Sequence, residues 1–128
     1  YIRAYYYAEV ETVDAAVSDQ HALAEIKHFK PNIFIISEML NPHQRDEPGS
    51  ELQELQRHID ACRTILSTYE RRPYLVSVCC RLSIGDRMYR RFKAQCEEFG
   101  YNYVCMRSEV NQASIAYWIS QARKLGML

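Results

Sequence analysis

The chain has 128 residues, of which 48% are hydrophobic, and its sixteen lysines and arginines balance sixteen aspartates and glutamates. This length and apolar content predict one domain, residues 1–128, with a hydrophobic core, while the neutral charge argues against a general binder of nucleic acid or anionic membranes. No stretch has the apolar length of a membrane span or the pattern of a secretory leader, so we expect a cytoplasmic location without membrane contact.

The first half of the chain is predicted to form strand, helix and strand. Glu9–Val17 is rich in Val, Thr and Ala, as extended segments are, and an amphipathic helix follows from about His21 to Phe29. Ile33–Ile36 is an unbroken apolar run, typical of a parallel strand that is covered on both faces. Ser37 and Glu38 come directly after this run. We therefore expect them at the carboxyl edge of the sheet, where α/β proteins bind ligands.

The second half continues the alternation of helices and strands. Residues 41–50 are polar, with two prolines and a glycine, and predict a loop with Ser50 as a helix cap. Asp86 is predicted to cap a later helix, which Gly100 ends. The predicted elements are helix Leu52–Tyr69, strand Tyr74–Cys80, helix Asp86–Phe99, strand Tyr101–Met106 and a last helix from about Asn111.

Strands and helices that alternate at this spacing predict an α/β fold, with a parallel sheet, right-handed crossovers and helices on both faces. Five cysteines, an odd number, lie in or beside apolar segments without the spacing of metal ligands, so we expect reduced and mostly buried thiols. These are Cys62, Cys79, Cys80, Cys96 and Cys105. The four histidines also lack ligand spacing, and we expect no metal and no cofactor.

One stretch carries a family resemblance. The stretch from residue 13 to residue 40 resembles the second strand, second helix and third strand of a response-regulator receiver domain. It consists of residues 13–23, eight residues to Pro31, and then Asn-Ile-Phe-Ile-Ile-Ser-Glu-Met-Leu. The resemblance implies a flavodoxin-like sheet over most of residues 9–125. It places the family's first strand and helix before residue 9, where only eight residues stand, so either the chain is trimmed or the fold begins differently.

The resemblance also implies that three functional positions of the receiver family are altered in this chain. In receivers the third strand ends in an aspartate that accepts a phosphoryl group from a histidine kinase, and Ser37 occupies that position. The hydroxyl-bearing switch residue of the family's fourth strand is replaced by Val78 or Cys79, and the lysine after the fifth strand by Met106 or Arg107. We expect Ser37, Glu38 and Cys79 to line a vestigial phosphoacceptor pocket that does not undergo phosphotransfer.

A basic cluster and two adjacent aromatic residues are the predicted interface. Arg87, Arg90 and Arg91 follow the family's fourth strand. Tyr117 and Trp118 are adjacent in the last helix, so only one of them can face the core, and helical spacing favours Trp118 there and Tyr117 outside. The resemblance implies that this surface holds a second copy or a partner regulator protein.

The sequence therefore predicts a regulatory and dimerisation domain of a bacterial transcription regulator, related to two-component systems and not an enzyme. DNA would be bound only by another domain. Two alternatives remain open: an α/β module that binds a small ligand or second messenger at the edge of the sheet, and a hydrolase or phosphatase with Ser37 or Cys80 as its nucleophile.

Overall fold

A computed structural model describes residues 32–37, 50–79 and 85–128 of the chain. Its elements are strand β1 (Ile33–Ser37), helix α1 (Ser50–Thr68), strand β2 (Tyr74–Cys79), helix α2 (Asp86–Phe99), strand β3 (Tyr103–Met106), a single turn of 3-10 helix (Arg107–Glu109) and helix α3 (Gln112–Lys124). The strand and helix predicted within residues 9–31, and the predicted loop from residue 41 to 49, lie outside the described residues.

The three strands form a parallel sheet in the order β1-β2-β3. In its register Ile33 pairs with Tyr74, Ser37 with Val78, and Cys79 with Met106. Parallel neighbours need a crossover connection, and α1 and α2 provide the two crossovers. The predicted α/β class with a parallel sheet is thus confirmed for the described part of the chain.

The central strand β2 is covered on both faces, since all six of its residues are buried. On one face, Leu75 and Cys79 pack with residues of α1 and α2. On the other face, Tyr74, Val76 and Val78 pack with Trp118 and Ala122 of α3. Because successive strand residues point to opposite faces, this division follows directly from the uninterrupted apolar run.

Helix ends lie within a few residues of their predicted positions. The cap of α2 is Gly85 in extended conformation, and Asp86 is the first helical residue, so the prediction that Asp86 caps this helix was wrong. Gly100 ends α2, as predicted, at φ 125°. Asn111 caps α3, because its side chain accepts a hydrogen bond from the Ser114 amide at 3.0 Å. At the start of α1, Ser50 is likewise the first residue of the helix.

The buried face of helix α1 differs at its start from the one that its apolar pattern predicts. The spacing of Leu52 with Ile59 and Cys62 predicts it in the core, yet it is 61% exposed. Glu54 and His58, in contrast, are fully buried. Ile59 and Cys62 are buried as predicted. The burial of His58 has a physical reason, because the Ser77 hydroxyl on β2 offers it a hydrogen-bond partner inside the protein.

Gly100 is a specific test of this architecture. Its positive φ disfavours side chains, and a Cβ there would meet Arg72 Nη2 at 3.3 Å and Leu66 Cδ1 at 3.4 Å. We expect Gly100→Ala to lower the free energy of unfolding by about 1–3 kcal/mol, measured by urea denaturation. The matched control is Gly85→Ala, because Gly85 has φ −70° and open space around it. Equal losses in the two variants would contradict the described end of α2.

Candidate functional site

The vestigial pocket was predicted at the carboxyl edge of the sheet. Ser37 ends β1, Cys79 ends β2 and Met106 ends β3, so all three reach the same edge. The Ser37 hydroxyl is shielded from solvent and has no hydrogen-bond partner in the described part of the chain. Glu38 lies outside the described residues, as does Cys80.

Ser37 and Cys79 share this edge without facing each other. Residues paired across neighbouring strands project to the same face, and Ser37 is paired with Val78. Val78 belongs to the core on the α3 side, whereas Cys79 belongs to the core on the side of α1 and α2. The sheet therefore separates Ser37 from Cys79, and the residue next to the serine is an aliphatic one.

The described part of the edge provides no evident metal site. No group of three His, Cys, Asp or Glu side chains among the described residues is placed to hold an ion. The nearest acidic residue after β3, Glu109, is engaged locally, because its carboxylate accepts a hydrogen bond from the Met106 amide at 2.6 Å.

A polar cluster lies away from this edge, in the middle of the protein. We define the His58 cluster as His58, Ser77, Cys96 and Tyr101. Ser77 Oγ and His58 Nδ1 are 2.7 Å apart, and the Ser77 hydroxyl also approaches Cys96 Sγ at 3.8 Å. The Tyr101 hydroxyl donates to the carbonyl oxygen of His58 at 2.6 Å. The cluster thus joins α1, β2, α2 and the segment that leads into β3.

Burial keeps the His58 cluster uncharged. Desolvation lowers the pKa of His58 from 6.5 to about 4, so its imidazole is neutral at pH 7. Desolvation also raises the pKa of Cys96 to about 11 and raises the pKa of Tyr101 well above its ordinary value. A serine beside a histidine is the pair used by nucleophilic enzymes, but Ser77 is 0% exposed and no substrate can reach it in this conformation. The cluster therefore acts as a structural tie between elements.

Sequence reasoning missed this cluster, although two signals were present. His58 follows Glu54 and precedes Cys62 by one helical turn each, which places it on the face that the helix buries. Ser77 interrupts an otherwise apolar strand, and a hydroxyl buried in such a strand requires a partner.

The predicted interface residues divide between two surfaces. Arg87, Arg90 and Arg91 are exposed on α2, and Tyr117 is 48% exposed on α3. Trp118 is 1% exposed and packs against the ring of Tyr103, so it belongs to the core. Since α2 and α3 lie on opposite faces of the sheet, the structure does not bring the arginines and Tyr117 together.

Comparison with known proteins gives no match to a family model, to a curated protein or to a solved structure. None of the described helices combines the length and the apolar character needed to cross a membrane.

The buried imidazole makes stability depend on pH. The unfolded chain binds a proton at His58 with a pKa near 6.5 and the folded chain only near 4, so acidification favours unfolding across that range. We expect His58 alone to reduce the free energy of unfolding by about 3 kcal/mol between pH 6.5 and 4. Denaturant titrations at several pH values would measure this loss in the free energy of unfolding. A His58→Gln variant should lack this contribution. If the free energy of unfolding depended on pH in the same way in both proteins, the burial of His58 would be contradicted.

The two serines of the sheet differ in what their hydroxyls do. Ser77→Ala leaves the buried Nδ1 of His58 without its partner, and we expect a loss of about 1–3 kcal/mol in the free energy of unfolding. Ser37→Ala is the matched control, because that hydroxyl makes no hydrogen bond in the described part of the chain and its removal should cost much less. Thermal and urea unfolding would compare them. A larger loss in Ser37→Ala would argue against the His58 cluster.

Proposed function

We propose that this chain is a regulatory domain that works through protein–protein contacts without phosphorylation, as a divergent receiver-like domain of a transcription regulator. The single observation that supports this most is the pairing of Ser37 with Val78 at the carboxyl edge of the sheet. In the family that the sequence resembles, the phosphoacceptor carboxylate stands at the position of Ser37, and the hydroxyl-bearing switch residue stands at that of Val78 or Cys79. Here the first position carries a hydroxyl, and the end of β2 offers an aliphatic side chain or a thiol without a hydroxyl.

The topology is consistent with this proposal. In flavodoxin-like folds with strand order 2-1-3-4-5, the last three strands are neighbours in sequence order. The order β1-β2-β3, with all strands parallel, fits that part of the sheet. Helices on both faces are also what this fold requires.

The chemistry at the edge supports loss of phosphotransfer. Phosphoryl transfer depends on positioned groups and metal ions that neutralise the developing charge. A serine hydroxyl is a much weaker acceptor than a carboxylate held beside Mg²⁺, and the neighbouring Val78 offers no group to bind a transferred phosphoryl oxygen. Under this proposal, the signal would enter the module through a contact with another protein.

A second candidate function is the binding of a small ligand at the same edge. It is favoured by the Ser37 hydroxyl, which is shielded from water and lacks a hydrogen-bond partner among the described residues. A ligand that satisfied this hydroxyl would stabilise the folded chain by mass action. A thermal-shift screen with nucleotides and other small metabolites would detect it, and Ser37→Ala should weaken any such shift.

Treatment with acetyl phosphate and Mg²⁺ tests the main proposal. Because Ser37 lacks a carboxylate and stands beside Val78, we expect intact-mass spectrometry to show no added phosphoryl group and sedimentation velocity to be unchanged. A receiver domain with an intact aspartate, treated in parallel, is the positive control. Stoichiometric labelling that maps to Ser37 and disappears in Ser37→Ala would overturn the proposal.

A further inference from the structure

We infer that α2 is a self-complementary contact helix that pairs antiparallel with α2 of a second copy of this chain, with Ala94 at the two-fold axis. This inference rests on the proposed function, since it names the partner of a contact module. It starts from the order of charges along one helix. The exposed arginines Arg87, Arg90 and Arg91 lie in its first half, while Glu97 and Glu98 lie in its last turn.

This order of charges does not serve the stability of the helix itself. A helix has partial positive charge at its N-terminus and partial negative charge at its C-terminus, so acidic residues are favoured early and basic residues late. Apart from Asp86, α2 shows the reverse, and it has no basic residue in its last turn. The ion pair that α2 forms within itself is weak, with Lys93 Nζ and Glu97 Oε1 3.9 Å apart and both side chains about half exposed.

The charged residues form one continuous surface. Arg87, Arg91, Ala94 and Glu98 follow one another at steps of four, three and four residues, which places them along one stripe of the helix. Arg90 and Glu97 lie on the other side of Ala94. All of these residues are exposed, whereas Phe92 and Cys96 on the opposite side are buried in the core. The stripe is therefore open to a partner.

A two-fold axis beside Ala94 brings opposite charges together. With a rise of about 1.5 Å per residue, Arg91 lies about 4.5 Å before Ala94 along the helix and Glu98 lies about 6 Å after it. Antiparallel pairing therefore sets Arg91 of one copy opposite Glu98 of the other, on the same side of the contact. Arg90 and Glu97 are matched in the same way on the other side. The two-fold symmetry repeats both pairs, so the contact contains four pairs of opposite charges.

The centre of this surface permits a close approach. Ala94 has the smallest side chain of the stripe, and small residues at a crossing let helix axes approach to about 8 Å. A single pair of helices of fourteen residues gives a small interface, so the association is weak and reversible, and exposed ion pairs make it sensitive to salt.

The acidic half of the stripe decides between possible partners. A nucleic acid presents phosphates, which the arginines would attract and the carboxylates of Glu97 and Glu98 would repel. A second copy of the same helix satisfies both halves at once. The charge pattern therefore fits self-association better than binding to a polyanion.

Charge exchange in the full chain tests the pairing. Sedimentation equilibrium at low salt, up to millimolar protein, should show a monomer–dimer equilibrium for the wild type. Arg91→Glu and Glu98→Arg should each weaken it by about tenfold, because each creates two like-charge pairs. The double variant that carries both changes should restore it to within about threefold. Arg123→Glu, at an exposed arginine of α3, is the matched control and should leave the equilibrium unchanged. Circular dichroism would confirm that every variant is folded.

Three results would overturn the inference: a wild type that stays monomeric at millimolar concentration, single variants that dimerise as the wild type does, or a double variant that is not restored. Tight binding of labelled duplex DNA that Glu98→Arg strengthens would replace the second copy with a polyanion as the partner. These outcomes do not bear on the loss of phosphotransfer in the proposed function. Labelling of Ser37 by acetyl phosphate would overturn that part of the proposal, whether or not the chain dimerises.

Discussion

The described structure depends on one constraint, the complete burial of β2. All six residues of Tyr74–Cys79 are inside the protein, so both faces of this strand need apolar cover. The helices α1 and α2 cover one face and α3 covers the other. Because the neighbouring strands are parallel, their carboxyl ends coincide, and this brings Ser37 to the same edge as the end of β2. The placement of the candidate pocket is thus a consequence of the packing of one strand.

The His58 cluster is the polar exception inside this apolar frame. Ser77 is flanked by apolar residues on β2 and lies beneath α1 and α2, where an unpaired hydroxyl would be costly. Its contact with His58 Nδ1 gives the Ser77 hydroxyl a partner, and burial keeps the imidazole neutral at pH 7. The hydroxyl of Tyr101 then fixes the carbonyl of His58. This network ties α1 to the sheet, and it accounts for the burial of His58 on that helix.

The sequence predicted what depends on local patterns and missed what depends on distant partners. The apolar run of β2, the glycine that ends α2 and the start of the last helix near Asn111 are local signals, and each was predicted correctly. The contact between His58 and Ser77 joins residues that are far apart in the chain, so no periodicity reveals it. The separation of Ser37 from Cys79 depends on the register between strands, which the sequence alone does not fix. The helical spacing of Trp118 with Ile115 and Ala122 is also a local signal, and the structure confirms Trp118 in the core.

The same frame explains why the proposed contacts lie on α2, since its outer stripe is left over after its apolar face has covered β2. The central claim is therefore that β2 is the inner strand of the sheet and the last element to open. Native-state hydrogen exchange with mass or NMR detection measures this directly. The amides of β2 should exchange only through global unfolding, more slowly than those of β3, an edge strand of the described sheet. Exchange of β2 through local opening, at a lower free energy than β3 or α3, would contradict the account.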